Sequence, residues 1–384
     1  MPLVPMRTIL EATDKYGFAQ GAYNMHTASQ GKALMEVHEM FRSPAIIQGA
    51  ELACAFMGGK ADFPAGTLED KQKGAFNVVA AVKRYAENSP IPVAIHLDHG
   101  KSIEVCVAAM DAGYTSVMID GSHLPMKENI ELTREVVKLA HPRGVTVEGE
   151  LGVLAGVEDQ VFSETSTYTN PLDAVEFVKK TGVDALAISY GATHGANKGK
   201  NTVLRKQIAI AAKECLRHEG LFCALVSHGS STVPQYIVKE VNALGGQLVN
   251  AHGIAKEQLK ELAREAIEKI NVDTDIRLAI LRNFRELFHN NPQYCTHRTL
   301  GAVYESLQAA PGQVDFRKHL GSVMDLVMYG TAADEAEEKL GICMEMAVKE
   351  AAGALIVEFD SLGKAPLVEN VTLEQMAERY AKMN

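Results

Sequence analysis

Eight short β-prone runs, each closing on Gly, Asn, Asp or Ser and alternating with longer segments of helical period, constrain this chain more than any other feature. They are FAQGAYN (18–24), PAIIQG (44–49), IPVAIHLDHG (91–100), SVMIDG (116–121), VTVEGELG (145–152), ALAISYG (185–191), FCALVSHG (222–229) and KINVDTD (269–275). Between them, stretches such as 102–113, 170–182 and 233–246 read as helices that often close on glycine. Strand–helix alternation argues for βα units and a parallel sheet, and eight such units argue for a closed (β/α)8 TIM barrel.

Side chains alternate along a strand, so the faces can be assigned. In IPVAIHLD, Val93, Ile95 and Leu97 share one face and Ala94, His96 and Asp98 the other. The first set is expected to meet the helices. The second points into the barrel, with its polar groups at the carboxyl end, where barrel active sites lie. In KINVDTD the same parity turns Ile270 and Val272 outward and Lys269, Asn271, Asp273 and Asp275 inward. Past about residue 290 the pattern gives way to irregular sequence and then long helical stretches at 334–355 and 373–383. The expected organisation is a catalytic barrel over 1–290 and a helical C-terminal extension over 291–384, either packed on the barrel or building an oligomer interface.

At 384 residues, 47% of them apolar and 22% charged, the chain can bury a large core. The net charge of −10 is spread through mixed-sign helical segments, with no Lys/Arg cluster to track a phosphate backbone, so nucleic acid is not expected as a partner. Six scattered cysteines form no CxxC pair and read as reduced thiols. No apolar run is long enough to span a bilayer, and the N-terminus lacks a signal-peptide core. A soluble, cytoplasmic protein without membrane contact is expected.

Three histidines, His99, His194 and His228, each precede a glycine at the end of an apolar run: HLDHG, YGATHG and SHGSS. Neutral imidazole is the commonest ligand of catalytic zinc, which keeps three protein ligands and one open position. An all-histidine set favours Zn²⁺, Co²⁺ or Fe²⁺ over Mg²⁺. Asp98, between His96 and His99, suits either an orienter of a ligand or a general base that reaches the substrate. Glu148 and Glu150 share a strand face, and Glu158 follows in a glycine-bearing loop as a candidate catalytic carboxylate. HGSSTVP (228–234) is a glycine-bearing turn with backbone N–H groups and hydroxyls able to cradle phosphate, or an ordinary helix cap. There is no GxxxxGK[ST] loop and no GxGxxG fingerprint, which leaves nucleotide chemistry without support.

HLDHG, SVMIDGSHLP, VEGELG, THG with Lys198 after it, SHGSSTVP and KINVDTDIR occur in the order found in class II, metal-dependent fructose-bisphosphate aldolases. The resemblance covers roughly residues 1–290, with a weaker echo in DFRKHLG (315–321). It implies that His99, His194 and His228 bind one Zn²⁺ per subunit, with Glu150 at an alternate metal position. Asp98 resembles the acid/base for the aldehyde-side hydroxyl, and Glu158 the mobile-loop acid/base that exchanges the proton on the nucleophilic carbon. Gly195, Lys198, Gly229, Ser231, Asn271, Asp273 and Thr274 resemble residues that hold dihydroxyacetone phosphate, some through a monovalent cation such as Na⁺ or K⁺. Asn24 and Arg277 resemble those holding the distal phosphate, the arginine typically across a subunit interface. The family also implies a small-molecule sugar phosphate as substrate and a homo-oligomer, dimer or tetramer.

The chain departs from the family on the substrate side. Ala50-Glu51 stands where a serine followed by arginine is common, Tyr23-Asn24-Met25-His26 replaces an asparagine-rich turn, and Asn197 replaces an aromatic residue. The metal and acid/base positions match, so aldol cleavage is expected, of fructose 1,6-bisphosphate first, with another ketose 1-phosphate (tagatose, sedoheptulose or a sulfonated sugar) as the alternative. A barrel metallohydrolase and an inactive scaffold barrel are the rival classes. Lys269, inward by parity, would have to serve a Schiff-base mechanism instead, or else is a salt-bridged barrel lysine.

Overall fold

Eight parallel strands close on themselves: β1 (Gln20–Asn24), β2 (Ala45–Ala50), β3 (Val93–Gly100), β4 (Ser116–Ile119), β5 (Thr146–Leu151), β8 (Ala185–Ile188), β9 (Ala224–Ser227) and β10 (Lys269–Val272), in the order β1-β10-β9-β8-β5-β4-β3-β2. Between β5 and β8, β6 (Gly156–Glu158) and β7 (Val161–Ser163) form a separate antiparallel hairpin. The computed structural model describes residues 3–154, 156–158, 161–163, 167–199 and 202–383, and of residues 157, 158 and 161–163 the backbone only. All eight runs expected to be strands are strands, and the fold is the TIM barrel.

Parity holds around the ring. Val93, Ile95, Leu97, Val147, Leu186, Ile188, Leu225, Ile270 and Val272 belong to the large apolar layer shared with the outer helices. Ala22, Ile46, Ala94, Ala185, Ala187, Ala224 and Val226 form a second cluster inside the barrel, joined by Val4, Met6, Ile9, Leu10 and Phe18 from the N-terminal segment. The many interior alanines leave room for long polar side chains in the same lumen. Gln20, His96, Glu148 and Lys269 are all fully buried there.

Two inward assignments fail at the end of β10. The strand stops at Val272, Asp273 immediately precedes the helix Thr274–Asn290, and Asp275 lies in its first turn, accepting from the amides of Thr232 and Val233. Helical geometry there overrides the strand period. Close packing outside the barrel rests on small residues: a Cβ on Gly74, in the helix Leu68–Ala86, would come 1.6 Å from the Cys54 carbonyl oxygen of the helix Glu51–Met57.

The C-terminal segment packs on the barrel. The helix Glu335–Glu358 lies against the helices Ala28–Met40 and Thr274–Asn290. Tyr380, in the helix Leu373–Met383, stacks on His141 with ring centroids 3.7 Å apart, above the His141–Asp184–Arg7 cluster. Among the described residues no helix is long and apolar enough to cross a membrane.

Candidate active site

The barrel's carboxyl mouth begins with a buried relay of side chains. Gln48 donates to Asn24 (2.8 Å) and Asp98 (3.2 Å), and Asn271 donates to the other oxygen of Asp98 (3.0 Å). Lys269 donates to Asn271 (2.7 Å) and pairs with Glu148 (3.0 Å), which in turn meets His228 Nε2 (2.9 Å). Burial opposes ionisation of Glu148, but Lys269, His228 and His96 outweigh it and hold the carboxyl well below its ordinary range. Lys269 is thus the salt-bridged barrel lysine, its ammonium tied to Glu148 and Asn271.

His99 departs from the strand alternation. Next to inward-facing Asp98 it would face the helices, yet it takes φ +47°, and the register between β3 and β4 shifts between Leu97 and Gly100. A left-handed non-glycine residue costs about 1 kcal/mol, and here it brings the imidazole over the mouth. His99 Nδ1 meets Asp120 Oδ2 (3.2 Å) and lies 3.7 Å from Glu150 Oε2, while its Nε2 is buried without a hydrogen-bond partner among the described residues. Asp120 is also bound by Lys101 (2.7 Å) and the Ser122 hydroxyl (2.7 Å). The orienter of His99 is therefore Asp120 from the end of β4, not Asp98.

His228 follows β9 directly and His194 sits in the loop six residues beyond β8. The ring centroids are 4.6 Å apart for His99 and His228, 5.6 Å for His99 and His194, and 6.4 Å for His194 and His228. The turn after His228 needs glycine: Gly229 has φ +61°, and a Cβ there would lie 2.5 Å from the Thr193 carbonyl oxygen. His228 Nδ1 is buried without a hydrogen-bond partner and 3.7 Å from Glu150 Oε2, which also lacks one. Among the described residues three groups bring their ligand atoms within 4.8 Å of one another, Asp98–His99–His228, His96–Asp98–Glu148 and His99–Asp120–Glu150, and His194 belongs to none of them.

The electrostatics suit a cation. Burial disfavours charge on His99, yet Asp98, Asp120 and Glu150 prevail and lift its imidazole to about 10. Burial and Asp120 push the Glu150 carboxyl up to about 7 against the pull of His228 and His99. An acidic cage that retains a proton on an imidazole holds a divalent cation by the same field, with His99 Nε2, His228 Nδ1 and Glu150 Oε2 as unpartnered donors. These residues fit a metal ion of the kind imidazole prefers.

The remaining expected site residues gather at the same end. Lys198 donates to the Thr193 carbonyl, and Ser231 Oγ accepts from the Thr274 amide (3.2 Å). Asp273 pairs with His26 (3.0 Å) and Arg277 (2.5 Å), and Arg277 pairs with Asp315 (3.1 Å). Burial opposes ionisation of Asp273 and Asp315, but the neighbouring cations, Arg277 foremost, hold both carboxyls well below their ordinary range. A cavity of 320 Å³ opens among Gly195, Thr274, Arg277, Asp315, Arg317 and Lys318. The 315–318 segment of the C-terminal part thus joins the site. The Glu158 side chain lies outside the described residues; its hairpin is rooted beside the site, since a Cβ on Gly156 would be 2.6 Å from the His194 carbonyl oxygen.

Ala50 opens the helix Glu51–Met57, and Glu51 is held by Lys71 (2.6 Å) and the Lys101 amide (2.6 Å). Sequence reasoning missed Gln48, Asp120 and Lys101. For Asp120 a signal existed: SVMIDG ends a strand adjacent to the one carrying His99, as HLDHG does.

A parallel barrel whose buried imidazoles and carboxylates converge at the carboxyl ends of the strands defines a TIM-barrel enzyme with a candidate metal centre. The sequence profile described as "Fructose-bisphosphate aldolase class-II" matches residues 4–328. A fructose-bisphosphate aldolase of Treponema pallidum (strain Nichols) is 39% identical, covering 80% of this chain and 92% of that protein. One from Xanthobacter flavus is 33% identical over 99% of this chain and 98% of its own length. The solved YdjI aldolase of Escherichia coli K12 shares the fold, with a TM-score of 0.63 and 24% identity over 95% of this chain and all of that one. The chain belongs to the class II fructose-bisphosphate aldolase family, whose members are metal-dependent carbon–carbon lyases. The hydrolase and scaffold readings fall with that assignment.

Proposed function

We propose that this protein is a zinc-dependent aldolase that reversibly cleaves fructose 1,6-bisphosphate into dihydroxyacetone phosphate and glyceraldehyde 3-phosphate, with one Zn²⁺ held by His99, His194 and His228. The observation that carries this reading is the meeting of three imidazoles, one at a strand end and two from the segments after β8 and β9, above Glu148 and Glu150, with His99 Nε2 and His228 Nδ1 unpartnered among the described residues. The bound metal supplies Lewis-acid stabilisation of the negative charge left on the substrate oxygens when the carbon–carbon bond breaks.

The chain's own groups do the rest. Asp98, fixed by Gln48 and Asn271, takes the proton from the aldehyde-side hydroxyl in cleavage and returns it in condensation. Glu158, on the hairpin rooted at Gly156, delivers and removes the proton on the nucleophilic carbon. Glu150 offers an alternate metal position. Gly195, Lys198, Gly229, Ser231, Asn271, Asp273 and Thr274 bind the dihydroxyacetone phosphate half, with a monovalent cation, Na⁺ or K⁺, sharing the phosphate. Asn24 and Arg277 face the distal phosphate. The barrel over 1–290 carries most of the site and 291–384 forms the extension. A cytoplasmic, glycolytic homo-oligomer, dimer or tetramer, is the setting that family membership supports.

A second reading keeps the chemistry and changes the distal group. Arg277 is engaged by two carboxylates, Asp273 and Asp315, and Ala50 brings no hydroxyl. These observations favour a related ketose 1-phosphate with a less charged far end. A panel of fructose, tagatose and sedoheptulose bisphosphates and sulfonated or deoxy ketose 1-phosphates separates the two. Fructose 1,6-bisphosphate should give the highest kcat/KM. Proton exchange on dihydroxyacetone phosphate without cleavage of fructose 1,6-bisphosphate would select the second reading.

A further inference from the structure

Arg285 lies two turns beyond Arg277 on the helix Thr274–Asn290, about 12 Å along its axis. It is 5% exposed, and its only hydrogen bonds among the described residues run from Nη2 to the carbonyl oxygens of Leu307 (3.1 Å) and Pro311 (3.3 Å). Nε and Nη1 are buried with no partner, and no carboxylate among the described residues pairs with this guanidinium. Burial, acting alone, lowers its pKa. A buried cation is normally paired, because the cost of desolvating it is otherwise left uncompensated. The three other buried arginines among the described residues each have a carboxylate at hand: Arg7 has Asp184, Arg277 has Asp273, and Arg317 has Asp315.

Arg285 lines a cavity of 250 Å³ together with Leu244, Phe288, His289, Tyr304 and Gln308. The Phe288 and Tyr304 rings, with centroids 5.3 Å apart, give it an aromatic wall. A guanidinium with no carboxylate partner among the described residues, beside an aromatic wall and the polar side chains of His289 and Gln308, matches an anion with an aromatic body. We propose that this cavity binds a small organic carboxylate, its anionic head against the Arg285 guanidinium and its body against Phe288, Tyr304 and Leu244. Because Arg285 also holds the Leu307 and Pro311 carbonyls, the bound anion would brace the segment that runs on to Asp315 and Arg317 at the catalytic mouth.

The test uses the full-length holoenzyme and 4-bromobenzoate. Crystals soaked with it should show a bromine anomalous peak in this cavity, with the carboxylate within hydrogen-bond distance of Arg285. In solution 4-bromobenzoate should raise the melting temperature saturably, 4-bromobenzamide should not, and Arg285→Met should weaken the response at least tenfold. Bromine absent from the cavity, an equal response to the amide, an undiminished response in Arg285→Met, or a carboxylate of a second copy already seated on the guanidinium would each overturn the proposal. The soak needs no variant, so the outcome does not depend on how Arg285→Met folds.

Discussion

His99 works through its neighbours. Its left-handed backbone turns the ring over the mouth, and Asp120 fixes the ring by taking Nδ1, which leaves Nε2 for a cation. Partners that orient a ligating imidazole typically carry 10–100-fold in metal affinity. Asp120→Asn should therefore bind zinc about 10–100-fold more weakly with an unchanged melting temperature of the metal-free protein; equal zinc affinity in a competition titration would remove Asp120 from that role. His38 gives a residue-scale prediction of another kind. It is fully buried, its ring centroid 5.3 Å from that of Tyr23, and burial pushes its imidazole down to about 4. The unfolded chain accepts this proton at about 6.5, so the group's contribution to stability is complete above that pH and is lost as pH falls towards 4. About 3 kcal/mol is at stake between pH 7 and 4. His38→Phe should flatten that stretch of the stability profile in denaturant titrations, and an unchanged slope would contradict the assignment. At this scale the sequence revealed residues that repeat a pattern, such as the three His-Gly pairs. Gln48 and Asp120 escaped because their role exists only once separate strands are in register.

The elements were the most legible part of the chain. Every barrel strand is short, apolar on its outward face and closed by a turn residue, so period and punctuation agree, and the parity of IPVAIHLD placed Asp98 inward before any contact was known. Parity failed where an element changed type: Asp273 and Asp275 belong to a helix start, and His99 to a bulge. The fit between helices depends on features that periodicity does not express. Gly74 lets the helix Leu68–Ala86 touch the backbone of the helix Glu51–Met57, whose first residue, Glu51, holds the amide that follows β3. Gly74→Ala should force the two apart and cost about 3 kcal/mol. Urea unfolding reads this directly, and a loss within the ordinary range of a surface substitution would show that the helices can yield.

Across the whole molecule the C-terminal segment serves both ends of the barrel. Asp315 and Arg317 reach the carboxyl mouth, while Tyr380 closes the opposite end on His141. Sequence could not choose between packing and oligomerisation for this segment, because amphipathic helices look alike whether the partner is the same chain or another. Tyr380 is 2% exposed, so Tyr380→Ala should lower unfolding free energy by about 3 kcal/mol while leaving kcat/KM within twofold; a large activity loss at intact stability would instead assign the tail a catalytic part. The barrel, the buried acidic cage and the three imidazoles together make one claim, that cleavage needs a metal ion at His99, His194 and His228. Its most direct test is fructose 1,6-bisphosphate cleavage followed through dialysis against a chelator and stepwise return of zinc. Activity should vanish with the metal and return in proportion to one Zn²⁺ per chain, and activity that survives chelation and is trapped by borohydride would contradict the account.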